Sequence, residues 1–125
     1  MPLLKRRARL LVLDDDPSMQ RLVSTVLKRR GHKVDLVSSG SQAIEKIATV
    51  SYDALLLDVM TPTEGGLTVI RHLKEARPEL VKRIVLVTAS PDSVLKAVAG
   101  DVFAIVRKPF DPDELVATIE RLITT

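Results

Sequence analysis

The chain contains no cysteine and no tryptophan. Without cysteine it can form no disulfide, no thiolate nucleophile and no cysteine-ligated metal site. Its aromatic residues are Tyr52, Phe103 and Phe110 alone, so the core must be aliphatic. Histidine occurs at His32 and His72 only. Neither has a second histidine at ligand spacing, so a histidine metal site is not expected and both are read as surface residues. Also missing is an apolar stretch of signal-peptide or membrane-span length before the first charged turn. No membrane contact is therefore expected, and the cytoplasm is the expected compartment. A formal net charge of +3 gives little reason to expect a polyanionic partner. With 125 residues, 46% apolar and 28% charged, the composition is that of one folded domain, residues 1–125. A chain of this length buries roughly two thirds of its unfolded surface.

The chain alternates short apolar runs with helical patterns. Residues 1–8 form a basic lead-in, with Lys5, Arg6, Arg7 and then Arg9, read as a solvated arm. Leu10 to Leu13 is an apolar strand ending in Asp14, Asp15 and Asp16. Pro17 then suits the first position of a helix capped by Asp16, with Leu22, Val23, Val26 and Leu27 as its stripe. Lys28 to Arg30 suit its negative end and Gly31 its left-handed cap. Lys33 to Val37 reads as a strand, with Val34 and Leu36 on one face, and a short helix with Ala43, Ile44, Ile47 and Ala48 inside follows.

The central strand runs from Tyr52 to Asp58, and the next helix ends before Pro78. Arg83 to Val87 is a strand leading into Thr88, Ala89 and Ser90. Pro91 opens a helix with Val94, Leu95 and Val98 inside, closed by Gly100. Val102 to Val106 is the last strand, followed by Lys108, Pro109 and Phe110. The last helix is capped by Asp111 and turns Leu115, Ile119 and Leu122 inward. Five strands and five helices in strict alternation predict an α/β fold, a doubly wound, flavodoxin-like parallel sheet of order 2-1-3-4-5.

In such a sheet every strand ends at one common edge, which would collect Asp14, Asp15, Asp58, Thr88 and Lys108. Three converging carboxylates repel one another by several kcal/mol at intermediate dielectric, on the order of 4 kcal/mol for a pair 4 Å apart. A cation offsets that charge, and an all-oxygen donor set that leaves room for water points to Mg²⁺, with Mn²⁺ as substitute. Lys108 adds a fixed positive charge and Thr88 a hydroxyl, which together make a pocket for a phosphoryl group. A carboxylate can accept that group as an acyl phosphate. Each residue alone has an ordinary reading as well: Asp as a cap, Thr as a strand former, Lys as a solvated strand end.

The chain resembles the receiver domains of two-component response regulators over Arg9 to Leu122. The matching residues are Leu11-Val12-Leu13-Asp14-Asp15-Asp16-Pro17, Asp58 with Pro62 and Gly66 after it, Thr88-Ala89, and Lys108-Pro109-Phe110. The resemblance implies that Asp58 is the phosphoacceptor. It implies that Asp14, Asp15, Asp58 and the Met60 backbone carbonyl hold the metal, and that Thr88 and Lys108 contact the phosphoryl oxygens. The implied donor is a sensor histidine kinase or a histidine phosphotransfer protein, and the output is a downstream protein target reached directly or through a phosphorylation-dependent dimer. Aspartyl phosphorylation and dephosphorylation would be self-catalysed, so the domain is not expected to be an enzyme in the ordinary sense. No nucleic-acid contact is expected of the domain itself, which is either a stand-alone receiver or a piece of a longer chain.

Several residues depart from the family pattern. Thr61 stands where methionine is usual, Gly65 where an acid is usual with Glu64 one residue earlier, and Ile105 at the aromatic switch position. The segment from Thr88 to Lys108 is about two residues short of the family's common length. With Thr88 and Ile105 as the switch pair, a smaller response of the Val94–Ile105 surface is expected, because isoleucine is stiff and small compared with a tyrosine ring. Met60 cannot orient a hydrolytic water, so a long phosphoryl lifetime is expected. The alternative reading is an interaction module of the same fold that phosphorylation does not regulate.

Overall fold

The computed structural model describes residues 7–59 and 65–124. The expectations placed on Met60, Thr61, Pro62 and Glu64 lie outside the described residues. The elements are β1 (Arg9–Leu13), α1 (Pro17–Arg29), β2 (Lys33–Val37), α2 (Gly40–Thr49), β3 (Ala54–Leu57), α3 (Gly66–Ala76), α4 (Pro78–Val81), β4 (Ile84–Thr88), α5 (Asp92–Leu95), β5 (Ala104–Arg107) and α6 (Pro112–Ile123). The five strands form one parallel sheet of order β2-β1-β3-β4-β5, as the alternation of elements predicts. Leu13 pairs with Leu57, and Leu57 with Leu86.

Both faces of the sheet are covered, which is why residues 10–13 of β1, all of β3 and residues 84–87 of β4 are continuous runs of buried apolar residues. Successive side chains in a strand point to opposite faces. Leu11, Leu13, Leu55 and Leu57 pack with Ala43 and Ile47 of α2, with Val69, Ile70 and Leu73 of α3, and with Leu95. Leu10, Val12, Leu56 and Val85 pack with Val23 and Leu27 of α1 and with Leu115, Ile119 and Leu122 of α6. The alternation within each strand thus sorts one aliphatic core into two layers. Among the described residues no helix is long and apolar enough to cross a membrane.

The caps follow local chemistry. Asp16 accepts from the Ser18 backbone N–H at 2.9 Å, Asp111 accepts from that of Asp113 at 2.9 Å, and Gly31 holds φ +92° after α1. Besides strand ends that shift by one or two residues, four details differ from the sequence reading. Six helices are present among the described residues where five were expected: α3 ends before Pro78 as expected, but Pro78 then opens the additional short α4, because proline suits a first helical position. The helix after Pro91 stops at Leu95 and continues as turns in which Val98 donates to the Leu95 carbonyl and Asp101 to the Val98 carbonyl, both at 3.0 Å. These tighter bonds alternate with helical ones, such as that from Ala99 to the Leu95 carbonyl at 2.9 Å, and Val98 stays buried. Leu22 and Leu36 are 41% and 40% exposed, because the inner face of α1 centres on Val23, Ser24 and Leu27 and β2 is an edge strand.

The fourth difference is His32, read as a surface residue but 5% exposed. Its Nδ1 accepts from the Ala8 backbone N–H at 3.1 Å, and its Nε2 lies 3.6 Å from Glu120 Oε2. The packing of α1, β1 and α6 encloses it, a long-range effect with no local signal. His72 is exposed.

At the edge strand, Tyr52 donates its hydroxyl to Asp35 Oδ2 at 2.6 Å, and Arg9 Nε and Nη2 donate to the same oxygen at 3.3 and 3.2 Å. Burial pushes the Asp35 carboxyl up, but the Tyr52 hydrogen bond and the Arg9 charge outweigh it and hold the group below the usual carboxylate range. Burial, then the hydrogen bond to Asp35, push the Tyr52 phenol up. A carboxylate lowered in the folded state contributes stability above its unfolded pKa of about 3.9 and loses it as pH falls through the folded value. The gap in urea-unfolding stability between the wild type and Asp35→Asn should therefore be full at neutral pH and shrink on acidification below about pH 4. At neutral pH, Tyr52→Phe should cost about 1 kcal/mol.

Candidate functional site

Parallel strands place their carboxyl ends at one edge of the sheet, and that edge carries the site. Asp14 follows β1 and Asp58 follows β3, and both are buried. The Asp14 backbone N–H donates to the Val37 carbonyl at 3.2 Å, and that of Asp58 to the Leu13 carbonyl at 3.0 Å, so ladder-type bonds position both aspartates. Thr88 is the last residue of β4 and fully buried. Lys108 follows β5, and its backbone N–H donates to the Thr88 carbonyl at 3.0 Å. The Lys108–Pro109 peptide is cis.

The side chains form one connected set. Lys108 Nζ donates to Asp14 Oδ2 at 2.6 Å and to Asp58 Oδ2 at 3.1 Å. Thr88 Oγ1 lies 3.0 Å from Asp58 Oδ1 and 3.0 Å from Ser90 Oγ. An ionised carboxylate only accepts, so the single Thr88 proton goes to Asp58 and Ser90 is left to donate to Thr88. The Ser90 backbone N–H supports the same oxygen at 3.2 Å. Burial pulls the Lys108 ammonium down, but hydrogen bonds to and charges of Asp14 and Asp58 more than reverse this, and the net shift is upward. Lys108 is therefore a fixed cation. Asp58, Thr88, Ala89, Ser90, Pro91 and Lys108 line an open pocket of about 240 Å³.

Asp15 stands exposed beside this set. Asp14, Asp15 and Asp58 each offer a carboxylate oxygen within 4.8 Å of the others. That donor set fits a hard, oxygen-preferring dication: it holds three negative charges, of which Lys108 balances one. All five expected residues thus meet at one sheet edge. Ile105 does not lie at this edge. It is half-buried on β5, pairs with Leu86 and lines a separate cleft with Leu95, Lys96 and Arg107.

One supporting residue escaped the sequence reading. Gln20 on α1 donates its side-chain amide to the Asp14 carbonyl and, at 3.1 Å, to the Val37 carbonyl, tying the first loop to the second. A glutamine on a helix face carries no motif, so nothing in the sequence marks it. Gly66 matches the family pattern, but its physical reason appears only here. Its N–H donates to the Asp58 carbonyl at 2.7 Å, and a Cβ on it would stand 2.8 Å from that oxygen.

A family model described as the response regulator receiver domain matches residues 10–120. The chain belongs to this family. This receiver domain is 37% identical over 113 residues to the transcriptional regulatory protein DltR of Streptococcus agalactiae serotype III (strain NEM316), covering 89% of this chain and 50% of that protein. The chain spans about half the length of the curated relatives it matches. Among solved structures, a putative response regulator from Chloroflexus aurantiacus J-10-fl matches with a TM-score of 0.84 at 28% identity, covering 96% of this chain and all of that one. The response regulator protein TrrA from Thermotoga maritima, in complex with Mg²⁺-BeF, matches with a TM-score of 0.81 at 28% identity, covering 91% of this receiver and 97% of that chain.

Glycine to alanine inside a helix ordinarily stabilises by about 0.5–1 kcal/mol. At Gly66 the added methyl meets backbone rather than a yielding side chain, so the sign should reverse. Gly66→Ala should lose about 1–3 kcal/mol in urea unfolding, the range for overpacking. It should also slow phosphoryl acceptance, because the displaced atom is the carbonyl of Asp58. A variant as stable as the wild type would show that this contact is not tight.

Proposed function

We propose that the domain accepts a phosphoryl group on Asp58 from the phosphohistidine of a sensor histidine kinase or histidine phosphotransfer protein. The observation that carries this reading is the joint hydrogen bonding of Asp58 to a fixed ammonium and a hydroxyl, beside two further carboxylates, in an open pocket. In the step, a carboxylate oxygen of Asp58 bonds to phosphorus as the P–N bond breaks and the imidazole leaves with the electron pair. Lys108, already paired with Asp58, stabilises charge on the transferring oxygens without reorganising. The Thr88 hydroxyl turns from Asp58 Oδ1 to a phosphoryl oxygen. Ala89, exposed and carrying only a methyl group, leaves the approach open.

Asp14, Asp15 and Asp58 would hold Mg²⁺ or Mn²⁺, with the Met60 carbonyl expected from the resemblance as a further ligand. When bound, the ion supplies positive charge against the carboxylates and the incoming phosphoryl oxygens. The reaction is self-catalysed in both directions, so the domain acts as a cytoplasmic switch and not as a turnover enzyme. No membrane or nucleic acid enters this reaction. Its output is a changed contact with a downstream protein or with a second phosphorylated copy, driven by the differential affinity of the phosphoryl group for two conformations. Thr88 moves first, and Ile105 follows with a smaller displacement than an aromatic ring would make.

Incubation with a small phosphodonor and Mg²⁺, followed by intact mass, should show one labile phosphoryl group on the wild type and none on Asp58→Asn. An aspartyl phosphate on the variant overturns the assignment of Asp58. The metal set has its own test. Ligand binding raises stability by RT ln(1 + [L]/Kd). Asp15→Asn should weaken Mg²⁺ binding by about ten-fold or more, the effect of about 1.4 kcal/mol. It should also leave the metal-free protein at least as stable as the wild type, because one repulsive charge is gone. Unchanged Mg²⁺ affinity removes Asp15 from the set.

A further inference from the structure

The net charge of +3 conceals an uneven distribution. At the opposite edge of the sheet, where the strands begin, the start of β1, the last turn of α1 and the turn into β2 surround a cleft of about 510 Å³ around Gly31. Its lining includes Arg7, Arg9, Lys28, His32, Lys33 and Asp35. Asp35 is the single carboxylate of that lining and is committed to Arg9 and Tyr52. Arg7, Lys28 and Lys33 make no ion pair among the described residues. Three positive charges therefore face one cleft whose single lining carboxylate, Asp35, is already paired with Arg9.

The backbone donors of the turn are used internally. Gly31 donates to the Lys28 carbonyl at 2.9 Å, His32 to that of Leu27 at 3.3 Å and Lys33 to that of Ala8 at 2.9 Å. The His32 ring is held between Ala8 and Glu120. An anion in the cleft would therefore be held by side chains alone. Gly31 leaves the wall open, since a Cβ there would meet nothing within 4 Å. Arginine forks and lysine ammoniums both suit phosphate oxygens. A single-stranded nucleic acid is bound along a groove with aromatic faces for stacking, and this lining has no tyrosine, phenylalanine or tryptophan, while its one imidazole, His32, is buried. We infer that this cleft is a binding site for a small polyphosphate, of the diphosphate and triphosphate class, remote from Asp58.

Inorganic tripolyphosphate is the probe, titrated without Mg²⁺ at low salt and read by amide chemical shifts on the full chain. Saturable shifts should concentrate on residues 7–9, 28 and 31–33, with the same pattern in Asp58→Asn. The double variant Lys28→Gln/Lys33→Gln, at two exposed positions, should keep the remaining spectrum and weaken binding by about ten-fold or more. Orthophosphate should bind at least about ten-fold more weakly than tripolyphosphate. Shifts centred on Lys108, shifts scattered over all lysines without saturation, unchanged affinity in the double variant, or equal affinity for orthophosphate would each overturn the inference. So would displacement of tripolyphosphate by a short DNA duplex at lower phosphate concentration, which would assign the cations to a nucleic-acid backbone.

Discussion

Asp14 and Asp58 end adjacent strands and share one ammonium, that of Lys108. The pairing of Leu13 with Leu57 sets the two carboxylates side by side, because both strands run parallel and stop in register. Neighbouring strands are about 4.8 Å apart, so two buried negative charges at this edge cannot avoid each other. Lys108 has to reach both from beyond β5, and the bond from its backbone N–H to the Thr88 carbonyl anchors it for that reach. Removing one partner of a buried ion pair leaves an uncompensated charge and is strongly destabilising. The site is thus held by the same attraction that makes it receptive to a phosphoryl group.

Thr88 connects that electrostatic centre to the rest of the sheet. Its hydroxyl touches Asp58 and Ser90, while its carbonyl holds the backbone of Lys108. A change of charge on Asp58 therefore acts on β4 and on the chain after β5 through one residue. Ile105 sits on β5 against Leu86, packed on the core layer that also contains Leu95. The segment between β4 and β5 carries a helix of only four residues, so the surface next to Ile105 rests largely on turns. Turns with few buried contacts give way more readily than a packed helix. Val98 and Val102 are the buried anchors beyond Leu95.

An acidic cluster and a basic cleft lie at opposite edges of the sheet. Asp14, Asp15 and Asp58 gather where β1 and β3 end, and Arg7, Arg9, Lys28 and Lys33 where β1 and β2 begin, each cluster assembled from segments distant in the chain. A modest net charge says nothing of this separation, since it only counts.

The order of strands, the doubly wound class, the capping residues Asp16, Asp111 and Gly31, and the identity of the acidic, hydroxyl and ammonium groups were legible in the sequence. The reason is that strand runs, caps and turn residues are local signals, and the motif residues sit at strand ends whose common edge follows from the alternation of elements. What only tertiary structure decided depends on contacts between segments far apart. His32 is buried because α1, β1 and α6 close over it, although no local pattern marks it. Gln20 bridges two loops through carbonyls that any residue type could supply. The necessity of glycine at 66 lies in the nearness of the Asp58 carbonyl, a distance that the chain's own composition cannot express. Residue type sets which interactions are available; packing decides which of them are made.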